Sequence, residues 1–154
     1  HIIPTGEWEL AREGEDLAIF AIGSAVMPSL EAAKGLESAG IKCAVINARF
    51  AKPLDTVHLE ETLKITSKIV SVEENVLEGG LGSGIAQFLA TRNTKEVQFK
   101  AIALPDEFVP QGPVSLLRRR YGLDAAGLEK KIKDFFLEFE EIGSSEVKVS
   151  RFRS

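Results

Sequence analysis

The sequence predicts a three-layer α/β domain, a mainly parallel sheet with helices on both faces. Short apolar, β-branched runs occur four times, and each is followed by a stretch whose apolar residues fall at helical spacing. The connections are short and carry glycine or proline where helices start and stop. Strand alternating with helix in this way imposes crossover connections, and crossovers make neighbouring strands parallel and cover both sheet faces.

The elements follow in order. "DLAIFAIGS" (16–24) is an apolar run closed by glycine and serine, a buried strand. In "AVMPSLEAAKGLESAG", Val26, Leu30, Ala33 and Leu36 share a helical face, with Pro28 early and Gly40 at the end. "IKCAVINARF" (41–50) reads as the second strand. "KPLDTVHLEETLKIT" reads as the second helix, capped by Asp55, with Leu59 and Leu63 one turn apart. "KIVSVEE" (68–74) is a strand, and "GSGIAQFLATRN" a helix with Ile85, Phe88 and Leu89 on one side. "VQFKAIAL" (97–104) is the fourth strand. "PVSLLRRRYG" and "DAAGLEKKIKDFFLEFEE" are closing helices, the latter with a stripe of Leu128, Ile132, Phe135 or Phe136, and Phe139. Residues 1–15 are expected to be a linker or edge segment from a preceding domain, adding an edge hairpin. Residues 16–141 form the domain, and 142–154 are expected to be a flexible tail.

Composition narrows the function. A 154-residue chain with 44% hydrophobic and 27% charged residues fits one globular domain with an ordinary core. Net charge is −4, which argues against nucleic-acid or membrane partners because phosphate surfaces are bound by clustered cations. One cysteine, Cys43, excludes an internal disulfide and suits a cytoplasmic location. No apolar run reaches the ~20 residues of a bilayer span. His1 in place of an initiator methionine suggests a piece of a longer chain.

The stretch "SVEENVLEGGLGSGIAQFL" (71–89) carries the most chemistry: a strand ends in two acids, turns through glycines and restarts as a helix. Such turns bind phosphates. The dinucleotide fingerprint fails at Ile85, where a small residue is required, although Asp106 stands at the right distance for a ribose-binding acid. Glu73, Glu74 and Glu78 oppose a pyrophosphate, and no Gly-Lys-Ser/Thr follows. Adjacent Glu73 and Glu74 point to opposite faces, so they share no proton, and one of them is placed to accept the turn's N–H groups. Ser24 and Ser83 lie outside a G-x-S-x-G elbow, and His58 reads as a surface group in a first helical turn. Cys43 reads as buried and inert. The "RRRYG" run (118–122) spreads around a helix and suits a solvated face or a subunit contact. No catalytic, cofactor-binding or metal-ligating residue is assigned. Ser24, Asn47, Arg49, Glu73, Glu74, Asn75, Gly79, Gly80 and Gly82 mark a strand-end edge that takes either a ligand or a neighbouring domain.

The strings "INARFAKPLD" (46–55), "SVEENVLEGGLGSGIAQFL" (71–89) and "LPDEFVPQGPVSLLRRRYGLDAAGLEKKI" (104–132) resemble the C-terminal domain of the 1-deoxy-D-xylulose-5-phosphate synthases, transketolase-like enzymes dependent on thiamine diphosphate. The resemblance implies a transketolase C-terminal-like fold in a transferase. That enzyme joins pyruvate to glyceraldehyde 3-phosphate for isoprenoid and thiamine synthesis. It implies that thiamine diphosphate and Mg²⁺ belong to preceding domains of the same chain, and that the enzyme is a homodimer. The present residues then supply scaffold and association, are inactive alone, and offer the Phe-rich final helix as a subunit face. Two alternatives stand: the C-terminal domain of a 2-oxoacid dehydrogenase β subunit, or a nucleotide- or anion-binding module using the Gly79–Gly84 turn.

Overall fold

A computed structural model describes residues 4–92, 96–107 and 109–151, with side chains through Glu141. Five strands, β1 (Glu9–Arg12), β2 (Leu17–Ala21), β3 (Cys43–Asn47), β4 (Lys68–Val76) and β5 (Gln98–Leu104), form one sheet in the order β1-β3-β2-β4-β5. β2 to β5 are parallel, and β1 runs antiparallel to β3 with Glu9 opposite Asn47. Among the described residues the α-helices are α1 (Val26–Ser38), α2 (Thr56–Leu63), α3 (Leu81–Thr91), α4 (Val114–Tyr121) and α5 (Ala125–Arg151), with a 3-10 turn at Gly23–Ala25 leading into α1.

The central strand explains the layering. β2 is buried throughout, and its side chains alternate between two cores. Leu17, Ile19 and Ala21 pack with Ala32, Ala33 and Leu36 of α1 and Leu128, Ile132 and Phe135 of α5. Ala18 and Phe20 pack with Leu59 of α2 and Leu81, Ile85, Phe88 and Leu89 of α3. Continuous burial of both strand faces is what parallel strands under crossover helices require. Asp55 caps α2 by accepting the His58 N–H at 2.9 Å. Gly40 follows α1 with φ of 84°, a conformation that favours glycine.

Three expectations change. The opening segment adds a lone edge strand, β1, paired with β3, and no hairpin with β2. Nothing local in "ELAR" announces that partner, which runs from Val45 to Asn47. Helix α5 continues to Arg151, past the boundary expected at 141. The aromatic residues of α5 also face inward. Phe135 is buried, and Phe136 and Phe139 pack against the same core, so the Phe-rich stripe is not an exposed subunit face. The exposed large apolar side chains include Met27, Val76, Leu77, Val114 and Leu116 instead.

Candidate functional site

All four parallel strands end at one edge of the sheet, the edge where open α/β folds place ligands. β4 brings Glu73 and Glu74 there and sends them to opposite faces. Glu73 is 1% exposed, and its carboxylate accepts the N–H groups of Leu81 at 3.0 Å and Gly82 at 2.9 Å. The positive end of α3 therefore already has an anion on it. The glycines make this possible. A Cβ on Gly80 would lie 2.1 Å from Oε2 of Glu73, and one on Gly82 would lie 2.8 Å from Oγ of Ser71. Gly79 turns the chain with φ of 73°.

On the other face, Glu74 accepts a hydrogen bond from Ser24 Oγ at 2.6 Å. It also pairs with the Arg118 guanidinium through Nε and, at 3.2 Å, through Nη2. The Arg118 hydrogen bonds lower the Glu74 carboxyl below the usual carboxylate range, with burial opposing and Ser24 assisting. Arg118 belongs to α4, which has no fully buried residue, so this ion pair ties α4 to the sheet alongside the packing of Tyr121 on the core. Beneath it lies a cavity of about 110 Å³ lined by Leu104, Val109, Val114, Leu117 and Leu123 as well as the pair. That is well below the ~300 Å³ at which ligand pockets begin.

The other candidate residues scatter. Arg49 pairs with Glu9 at 2.9 Å, and Asn47 Nδ2 stands 3.5 Å from the same carboxylate. Asn75 is exposed at the end of β4. Ser83 Oγ donates to the Gly80 carbonyl, and His58 Nδ1 stands 3.6 Å from Asp55, so neither serine is bonded to the histidine. Cys43 is fully buried, and burial pushes its thiol up to about 12, so it is no thiolate at neutral pH. Asp106 is exposed at the same edge as the glycine turn, but the N–H groups of Leu81 and Gly82 at the helix start are taken by Glu73. Sequence reading missed the Arg118–Glu74 pair, which joins residues 44 apart, and missed Trp8, whose signal was a lone tryptophan in a polar segment.

Residues 6–128 match the family described as transketolase, C-terminal domain. The chain belongs to this family. It is 45% identical over 133 residues to 1-deoxy-D-xylulose-5-phosphate synthase 1 of Geobacter sulfurreducens, covering 86% of this chain and 21% of that protein. It is 40% identical over 141 residues to 1-deoxy-D-xylulose-5-phosphate synthase of Listeria welshimeri, covering 92% and 22%. The chain thus spans about a fifth of the length of these relatives. A solved structure described as a split gene transketolase, inactive β4 tetramer, superimposes with a TM-score of 0.79 at 31% identity, over 88% of this chain and 44% of that one. A Pichia stipitis transketolase, at 19% identity, has a TM-score of 0.63 over 88% of this chain and 19% of its own, a likeness of fold.

A transketolase C-terminal domain of this kind carries a strand–turn–helix that does not fit a diphosphate. The N–H groups such a group needs are held by Glu73, and the nearby cavity is too small. Among the described residues, no helix is long and apolar enough to cross a membrane, and no three metal-ligating side chains converge.

Proposed function

We propose that this chain is the C-terminal domain of a 1-deoxy-D-xylulose-5-phosphate synthase and serves there as a non-catalytic scaffold. Its preceding domains bind thiamine diphosphate and Mg²⁺ and join pyruvate to glyceraldehyde 3-phosphate in a cytoplasmic homodimer. The observation that carries this reading is the state of the two strand-end acids. Glu73 is consumed by the α3 N-terminus and Glu74 by Arg118 and Ser24, so neither is available as a general base. Identity of 40–45% to synthases of that name supports the parent enzyme over the β subunit of a 2-oxoacid dehydrogenase. The exposed apolar residues Met27, Val76, Leu77, Val114 and Leu116 are the ones proposed to meet a neighbouring domain or subunit.

The test is twofold. The chain, folded by circular dichroism, is expected to form no product from pyruvate and glyceraldehyde 3-phosphate with thiamine diphosphate and Mg²⁺. Titration with thiamine diphosphate or NAD is expected to leave the amide shifts of Gly79, Gly80 and Gly82 unmoved. Turnover by the chain alone overturns the scaffold reading, and saturable shifts at the turn revive the anion-binding one.

A further inference from the structure

The segment before β1 meets one loop residue by residue. Gly6 adopts φ of 84°, and a Cβ there would stand 3.0 Å from Cγ of Pro53. The Trp8 N–H donates to Asp55 Oδ2 at 2.8 Å, and its indole Nε1 donates to the Phe50 carbonyl at 2.9 Å. Glu9 takes the Arg49 guanidinium at 2.9 Å. The Trp8 ring is 5% exposed and tilts against Phe20 of the central strand, 5.4 Å between centroids. Asp55 divides its carboxylate, one oxygen on Trp8 and the other on the α2 cap.

The loop rests on the core through Ala48 and Leu54, and between them it is thinly bonded. Among the described residues, no backbone N–H from Phe50 to Leu54 is bonded to a backbone carbonyl outside helices and strands. The segment meets it at the Phe50 carbonyl and at the Asp55 carboxylate that closes it. From this pairing we infer that residues 47–55 are a receptor for an extended, tryptophan-bearing segment, filled here by residues 6–9, and that the loop owes its order to that occupant. The receptor also lies against the first turn of α3, since Leu54 Cδ1 stands 3.5 Å from where a Gly84 Cβ would be. The inference is independent of which enzyme the domain serves.

Hydrogen exchange of the whole 154-residue chain, read by mass spectrometry, tests it. Trp8→Phe keeps an aromatic ring in the pocket but removes the indole donor, and Arg49→Gln removes the Glu9 pair without touching the core. Each is expected to speed exchange of residues 47–55 about tenfold while peptides from α1 and α5 keep wild-type rates. Leu10→Ala, on the same strand but exposed, is expected to leave the loop unchanged. Unchanged loop exchange in both variants overturns the inference. So does acceleration shared with α1 and α5, or an equal effect of Leu10→Ala.

Discussion

Gly80 and Glu73 are locked together: the Oε2 of Glu73 lies 2.1 Å from where a Cβ on Gly80 would be, while its carboxylate holds the N–H groups of Leu81 and Gly82. Any side chain at position 80 displaces the acid from the helix start. Gly80→Ala is expected to destabilise the domain by about 2 kcal/mol, as overpacking does. Glu73→Gln turns one acceptor into a donor facing N–H groups and is expected to cost about 2 kcal/mol. Urea unfolding midpoints measure both, and a loss in Glu73→Gln below a few tenths would show the carboxylate to be idle.

Arg118→Gln is expected to cost about 1 kcal/mol at neutral pH, the upper end for a partly exposed pair. Glu74 is held below the usual carboxylate range, so its contribution is complete above the ordinary glutamate value of about 4.3. It fades as pH falls through the depressed value, because the folded state must then take up a proton that the unfolded state already carries. The stability gap between wild type and Arg118→Gln is therefore expected to close under acid conditions, as denaturant melts across pH will show.

Cys43 is expected to resist thiol reagents in the folded state, since burial raises it to about 12 against an ordinary ~8.5. Labelling at pH 8 should follow the unfolding rate. For a thiol raised on folding, the neutral form stabilises below the unfolded value, and the benefit is lost as pH rises toward the folded one. The gap between wild type and Cys43→Ala is expected to narrow in that alkaline range. Fast labelling of folded protein would contradict the burial.

Phe139→Asp is expected to lower stability by about 3 kcal/mol, because Phe139 packs on the core with its ring edge-on to Phe135 at 5.1 Å. Thermal melting checks this. A variant as stable as wild type but less self-associated would put the residue at a subunit contact.

Local pattern was enough for the strands and helices of the parallel core, since each announces its own period and its own stops. Asp55 was legible as a cap because its acceptor role is met three residues on. That one of the two strand-end acids takes the turn's N–H groups was legible, because a strand end, acids and glycines fix the geometry among neighbours; that it is Glu73 was not. Pairings set by tertiary folding were not. Arg118 lies 44 residues from Glu74, and its run of three arginines reads as solvent-facing in isolation. The direction of β1 is likewise decided by β3, and the inward turn of the Phe stripe by where α5 crosses α1. Trp8 offered a cue in its rarity, but its acceptors at 50 and 55 became visible only in three dimensions.

The antiparallel run of β1 has a mechanical consequence. Tension drawn along the strand axis on the chain ahead of Trp8 would load the short β1–β3 ladder in shear. Its bonds, the indole anchor and the Glu9–Arg49 pair must then yield together, whereas a strand peeled from its side gives way one bond at a time. Four residues of edge strand thereby make a firm mooring for whatever pulls on them.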